Sequence, residues 1–196
     1  MTDARYSRAV GTHLGRREFL ALAGGTAGLV LAACSSKDSG GDSTPKSVTV
    51  KHIFGETTVP APPKRVVSAG FTEQDDLLAV GVVPIAVTNW FGDQPFGVWP
   101  WAQPKLGSAR PVVLNLDNGI QIDRIATLKP DLIVAVNAGL DADAYKKLSA
   151  IAPTIAQSGG DAFFEPWKDQ AGTIAQAVFH ADQMKQLISE VDDKFS

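Results

Sequence analysis

From Val48 onward the spacing of apolar positions changes repeatedly. Val48 to Phe54 (VTVKHIF) alternates apolar and polar residues. With Gly55-Glu56 and Thr57 to Val59 it predicts a small edge β-hairpin, closed off by PAPPK (Pro60 to Lys64). Four short apolar runs then read as parallel strands: Arg65 to Ala69, Pro84 to Thr88, Asp131 to Val136 and Thr154 to Gln157. Helical patterns separate most of them. Glu73 to Val80 ends at Gly81, suited to the left-handed position just past a helix; Ile122 to Lys129 is stopped by Pro130; Asp141 to Ala152 opens with a capping Asp. Met184, Leu187, Ile188, Val191 and Phe195 form one apolar stripe of an amphipathic helix. No C-capping residue closes that stripe, so it reads as a helix cut in mid-course. Strands and helices taking turns predict an α/β fold with a short parallel sheet flanked by helices.

The segment before Val48 follows different rules. Arg5, Arg8, Arg16 and Arg17 make a positive region, followed by an uncharged apolar stretch from Phe19 to Ala33. As a helix that stretch reaches about 22 Å, short of the roughly 30 Å hydrocarbon core, so residues 1–33 read as a signal peptide. Gly15 to Leu22 (GRREFLAL), with Arg16 and Arg17, resembles a twin-arginine export signal, and Leu31-Ala32-Ala33-Cys34 resembles a bacterial lipobox. Cys34 is the only cysteine, so no disulfide within the chain is possible, and it stands where lipidation would make it the first mature residue. Two acyl chains suffice for stable anchoring at the outer face of a membrane. Residues 34–47 read as the lipidated Cys and a flexible polar tether, 48–180 as a folded lobe, and 181–196 as the start of a longer helix.

Composition narrows the chemistry. The 196 residues are 44% hydrophobic with a formal charge of −3, and no basic stripe favours nucleic acid. There is no GxSxG, no GxxxxGK[ST] and, in the mature part, no glycine-rich nucleotide loop, so an enzyme is not expected. A protein-ligated metal is not expected either, because past the leader the only histidines are His52, in the hairpin, and His180, near a helix end.

The distinctive stretch is Asn89 to Pro104, NWFGDQPFGVWPWAQP. Three of the four tryptophans and two phenylalanines fall within the twelve residues Trp90 to Trp101, among glycines and prolines that forbid a regular element. Ligands of open α/β sheets collect outside the carboxyl ends of the strands. Those ends carry Gly70, Phe71 and Thr72; Trp90 and Phe91; Asn137, Ala138 and Gly139; and Ser158, Gly159 and Gly160. Small and aromatic residues of this kind can approach a large flat ligand and stack on it. Trp90 and Phe91 suit core and ligand equally, and Asn137 equally suits a turn. Trp99 and Trp101 flank Pro100 and are expected to diverge, one anchoring the loop and the other facing the groove.

Three stretches resemble one family. KRVVSAG with AVGVVPIAV (Ala79 to Val87), IDRIATLKPDLIVAVNAG (Ile122 to Gly139) and LSAIAPTIAQSG (Leu148 to Gly159) are similar to the periplasmic-binding-protein family that serves ABC importers of ferric siderophores, haem and cobalamin. The aromatic loop is similar to that of actinobacterial siderophore-binding lipoproteins. The resemblance implies two α/β lobes joined by a long helix, of which this sequence would supply the first lobe and the start of the helix, the second lobe being missing. It implies a monomeric, lipid-anchored receptor that captures a ferric siderophore and passes it to an ABC permease, with haem as the alternative ligand. A third reading is a cell-wall interaction protein that uses the aromatic loop as a protein contact. The candidate ligand contacts, read from the strand ends and the aromatic loop, are Phe71, Thr72, Trp90, Phe91, Trp99, Trp101, Asn137 and Gly139. The implied permease-docking acid, six residues before the glycine that ends the first helix, is Asp75, with Glu73 or Asp76 sharing the role.

Overall fold

A computed structural model describes residues 46–196. The signal peptide of residues 1–33, its Arg16 and Arg17, Cys34 and most of the tether lie outside the described residues. The chain runs β1 (Val48–His52), β2 (Gly55–Val59), β3 (Val66–Ser68), α1 (Glu73–Ala79) and β4 (Ala86–Thr88). Two 3₁₀ turns follow, Pro95–Gly97 and Gln103–Leu106, then β5 (Val112–Leu114), α2 (Ile122–Thr127), β6 (Leu132–Ala135), α3 (Ala142–Ser149) and β7 (Thr154–Ala156). Helices α4 (Trp167–Ala177) and α5 (Ala181–Phe195) complete it.

Strands β3 to β7 form one parallel sheet in the order β5-β4-β3-β6-β7, while β1 and β2 pair only with each other. The order reverses between β3 and β6, so the crevice past their carboxyl ends is the topological switch point where such sheets bind ligands. Both sheet faces are covered, which is why the strands read as unbroken apolar runs. In β6, Leu132 and Val134 pack with Leu77, Ile174 and the hairpin residues Val50 and Val59. Ile133 and Ala135 turn to the other face and pack with Ile125 and Leu148.

The helix ends follow the expected chemistry. Gly81 takes φ +84°, its amide donates to Leu78 O at 3.2 Å and the Val82 amide donates to Leu77 O at 2.9 Å. This double bond pattern closes α1 as a Schellman motif. Asp141 Oδ1 caps α3 by accepting from the Ala144 amide at 2.7 Å. Met184 is buried, Leu187 and Ile188 pack against the core as the α5 stripe predicts, and Phe195 is exposed.

Two elements were not expected. β5 is a three-residue edge strand with Val113 exposed, too short to show a period. α4 begins directly after Pro166 and contains Gly172, so its apolar face is diluted, yet it buries Ala171, Ile174 and Ala175 against α1 and the hairpin.

The hairpin is fastened by polar bonds as well as by Val50 and Val59. His52 Nδ1 accepts from the Phe54 amide at 3.2 Å, which leaves Nε2–H to donate to Thr57 Oγ1 at 2.9 Å. Thr57 Oγ1 in turn donates to Thr154 O at 2.8 Å, on β7. Thr57→Val keeps the shape and strands both partners, so it should destabilise the lobe by about 1–3 kcal/mol in urea unfolding. A loss below about 0.5 kcal/mol would show that the hydroxyl bridge does not fasten the hairpin.

Candidate ligand-binding site

The site is built from the switch point outward. Gly70 follows β3, and a Cβ there would lie 2.4 Å from the backbone carbonyl of Asn137 and 2.5 Å from Glu73 Oε1. Only glycine allows this approach. Into the gap projects Glu73, fully buried, whose Oε1 accepts from the Asn137 amide at 2.9 Å. Its Oε2 accepts from the Gly70 amide at 3.0 Å and from Ser68 Oγ at 3.2 Å.

Asn137, also fully buried, completes the clamp. Its Nδ2 donates to Phe71 O at 2.8 Å and to Thr72 Oγ1 at 3.2 Å, and its Oδ1 accepts from the Phe164 amide at 2.8 Å. These bonds hold Thr72 and Phe164 at φ 66° and 56°, a left-handed conformation that is costly for a β-branched threonine. Asn137 is thus a positioning residue that joins three loops, and its buried side chain offers a ligand no contact. Thr72 Oγ1 faces inward as well, accepting from Gln170 Nε2 at 3.3 Å. Gly139, at φ 64°, lies under the Phe163 ring, which would stand 2.3 Å from any Cβ.

The clamped loops present a continuous run of aromatic rings. Phe71 stacks on Phe163 with centroids 5.9 Å apart and meets Trp90 at 6.1 Å. Trp90 contacts Phe164 at 5.6 Å and Phe91 at 4.5 Å, and Phe91 meets Trp99 edge-on at 5.1 Å. Trp99 and Trp101 do not diverge around Pro100: their rings stack at 5.1 Å, only 6° from parallel. Neither anchors the loop. Val98, Ala102 and Leu106 do so, packed against Leu78 and Val87. Trp90, Phe91, Trp101, Phe163 and Phe164 are all exposed. Phe163 and Phe164 were missed in the sequence because the loop after β7 carries its aromatics beyond the first three residues, Ser158 to Gly160.

The acidic start of α1 needs a correction. Glu73 cannot dock to a partner, because its carboxyl group is sealed under the switch point. Asp75 is half-buried, with Oδ2 accepting from the Trp101 indole N–H at 3.3 Å, and Asp76 Oδ2 accepts from Gln170 Nε2 at 2.7 Å. Among the described residues no cluster of three or more His, Cys, Asp or Glu is placed to hold a metal ion.

Residues 66–196 match the family model described as periplasmic binding protein. The chain belongs to this family. The probable siderophore-binding lipoprotein YfiY of Bacillus subtilis is 35% identical over 174 residues, 86% of this chain and 50% of that protein. A periplasmic solute binding protein from Mycobacterium smegmatis is 72% identical in a structural match with a TM-score of 0.76, covering 76% of this chain and 53% of that one. Streptococcus pneumoniae PiaA in complex with ferrichrome matches at 27% identity and a TM-score of 0.63, covering 73% and 48%. The chain spans about half the length of the curated relatives it matches. The periplasmic binding proteins are a binding family, in line with the expectation that the chain is not an enzyme.

The clamp makes this periplasmic-binding-protein lobe sensitive to pH. Burial pushes Glu73 up to about 8, against its three hydrogen bonds, with the Asp76 charge adding to the rise. Burial also pushes Asp76 up to about 7, opposed by the Gln170 bond and assisted by Asp75. Asp75 is raised by burial and lowered by the Trp101 bond. The unfolded chain releases these protons in the ordinary carboxylate range, whereas the folded chain keeps those of Glu73 and Asp76 until about pH 8 and 7. Between those limits the folded state binds more protons, so stability is full at the acidic end and falls as pH rises. Tm should drop by roughly 5 °C or more from about pH 5 to about pH 8.5, and Glu73→Gln should flatten that slope. An unaltered slope in Glu73→Gln would assign the linkage to other groups.

Proposed function

We propose that the protein is an extracytoplasmic, lipid-anchored receptor that captures a ferric siderophore and delivers it to an ABC permease. The observation that carries this reading is the aromatic surface at the switch point, running from Phe163 through Phe71, Trp90, Phe91 and Trp99 to Trp101. Exposed rings fixed in this way suit stacking on the organic shell of a chelate. The metal then arrives already coordinated, so the site needs no protein ligands of its own. Support comes from relatives named for siderophore binding and from a solved relative holding ferrichrome. The same reading assigns residues 1–33 to export, Cys34 to the lipid anchor, residues 48–180 to the first lobe and 181–196 to the beginning of an inter-lobe helix.

Haem fits this surface less well. It calls for an axial ligand, and the described histidines lie elsewhere, His52 buried in the hairpin and His180 at the start of α5.

Tryptophan fluorescence of the purified protein, corrected for absorbance with free tryptophan, tests the reading. A ferric siderophore should quench saturably, and Trp90→Ala or Phe91→Ala should weaken binding by about tenfold or more, as loss of a stacked ring implies. Absence of quenching by any chelate from folded protein would instead favour the aromatic face as a protein contact. Asp75 is the proposed docking acid, and Asp75→Asn, which removes the charge and keeps an acceptor for the Trp101 indole, should leave chelate affinity within about twofold while reducing uptake by cells. Undiminished uptake would remove Asp75 from that role.

A further inference from the structure

Charge is distributed unevenly between the two edges of the sheet. Residues 69–72, 89–102, 115–121, 136–141 and 157–166, the stretches that lead away from the carboxyl ends of the five parallel strands, contain no lysine or arginine, and the β4–β5 connection reaches its first cation at Lys105, past the aromatic stretch. They do contain the exposed carboxylates Asp93, Asp117, Asp141 and Asp161. The cations gather at the opposite edge. Lys64 and Arg65 lead into β3, Arg110 into β5 and Lys129 into β6. Arg65 is engaged there, donating to Leu128 O at 2.6 Å and Lys129 O at 3.0 Å, and Arg110 lies over the Phe96 ring at 5.1 Å. Lys168, just inside α4, is held in a 2.6 Å salt bridge with Asp192.

Two effects on the aromatic face therefore act in the same direction. Ring faces carry negative electrostatic potential and attract cations. Carboxylates at Asp93, Asp117, Asp141 and Asp161, with no lysine or arginine in the same stretches, add a field of the same sign, which draws in positive ligands and slows the approach of negative ones.

We infer that the aromatic face selects ferric chelates of zero or positive net charge, of the trishydroxamate type, and disfavours polyanionic tricatecholate and citrate chelates. The inference rests on the receptor reading and names the ligand class for that same site. The carboxylates of the lobe act as a charge filter, while the rings supply contact area common to all flat or greasy chelates.

The test compares matched chelates with the purified protein at low and moderate salt. Cationic ferrioxamine B and neutral ferrichrome should quench tryptophan fluorescence with affinities at least about tenfold higher than ferric enterobactin or ferric citrate, and the gap should narrow as salt is added. The double variant Asp93→Asn/Asp161→Lys, which spares every ring, should close most of that gap by strengthening polyanion binding. Equal or tighter binding of the polyanionic chelates by the unaltered protein would overturn the charge filter and leave the receptor reading standing. If no chelate of either charge binds, the receptor reading fails and the charge filter falls with it.

Discussion

A carboxyl group buried at the junction of β3 and β6 holds the working edge of this lobe in one arrangement. Burying an ionised carboxylate costs several kcal/mol unless its lone pairs are satisfied. Glu73 meets that demand with donors from three places: Ser68 at the end of β3, the Gly70 amide in the loop beyond it, and the Asn137 amide past the end of β6. Raising its affinity for a proton relieves the remaining cost, since a protonated Oε2 can donate to Ser68 Oγ while the two amides keep their acceptors. Gly70, Glu73 and Asn137 form one unit in consequence. Adding a Cβ to the first, removing the carboxyl of the second or shortening the third would each release the same contact between the two central strands.

The aromatic surface depends on that unit. Asn137 fixes the backbone of Phe71 and Phe164, and Phe71 and Trp90 connect the rings of the β7–α4 loop to those of the β4 loop. The rings contact one another without a ligand, so little side-chain freedom remains to be lost on binding. Aliphatic residues at Val98, Ala102 and Leu106 take over the anchoring of the long loop, which leaves Trp90 and Trp101 on the surface and Trp99 half-buried. A loop rich in Trp and Pro thus keeps Trp90 and Trp101 outside because three smaller residues, one before Trp99 and two after Trp101, reach the core first.

Much of this was legible in the sequence, for identifiable reasons. Strands buried on both faces announce themselves as continuous apolar runs, and Gly81 and Asp141 mark helix ends through local chemistry that tertiary packing did not disturb. The strand-end rule located the loops that converge at the switch point. The individual roles within those loops were hidden. Glu73 has the pattern of an exposed first-turn acid, and only the approach of Gly70 to the Asn137 backbone, between residues 67 apart in sequence by their numbers, reveals that it is sealed. Asn137 reads as a turn residue because its partners Phe71, Thr72 and Phe164 are distant in the chain. The stacking of Trp99 on Trp101 requires the intervening Pro100 to reverse the chain locally, a tertiary outcome that alternation rules do not encode.

The two edges of the sheet also divide the labour of the lobe. At the amino edge polar groups close on each other: Asp131 accepts from the Lys64 and Arg65 amides at 2.8 and 2.7 Å, and Arg65 caps the carbonyls that end α2. That edge satisfies its own valences and stabilises the fold. At the carboxyl edge the reverse holds among the described residues. The buried side-chain oxygens without a hydrogen-bond partner, on Gln74, Asp75, Gln157 and Glu165, all belong to this edge, as do the strained Thr72 and Phe164. Unmet polar groups and left-handed backbone are destabilising, and a fold retains them where another demand overrides stability. The unpaired oxygens gather beside the exposed rings, whereas left-handed non-glycine backbone also occurs at Lys129 by the amino edge, so it is the unmet polar groups that distinguish this end of the sheet.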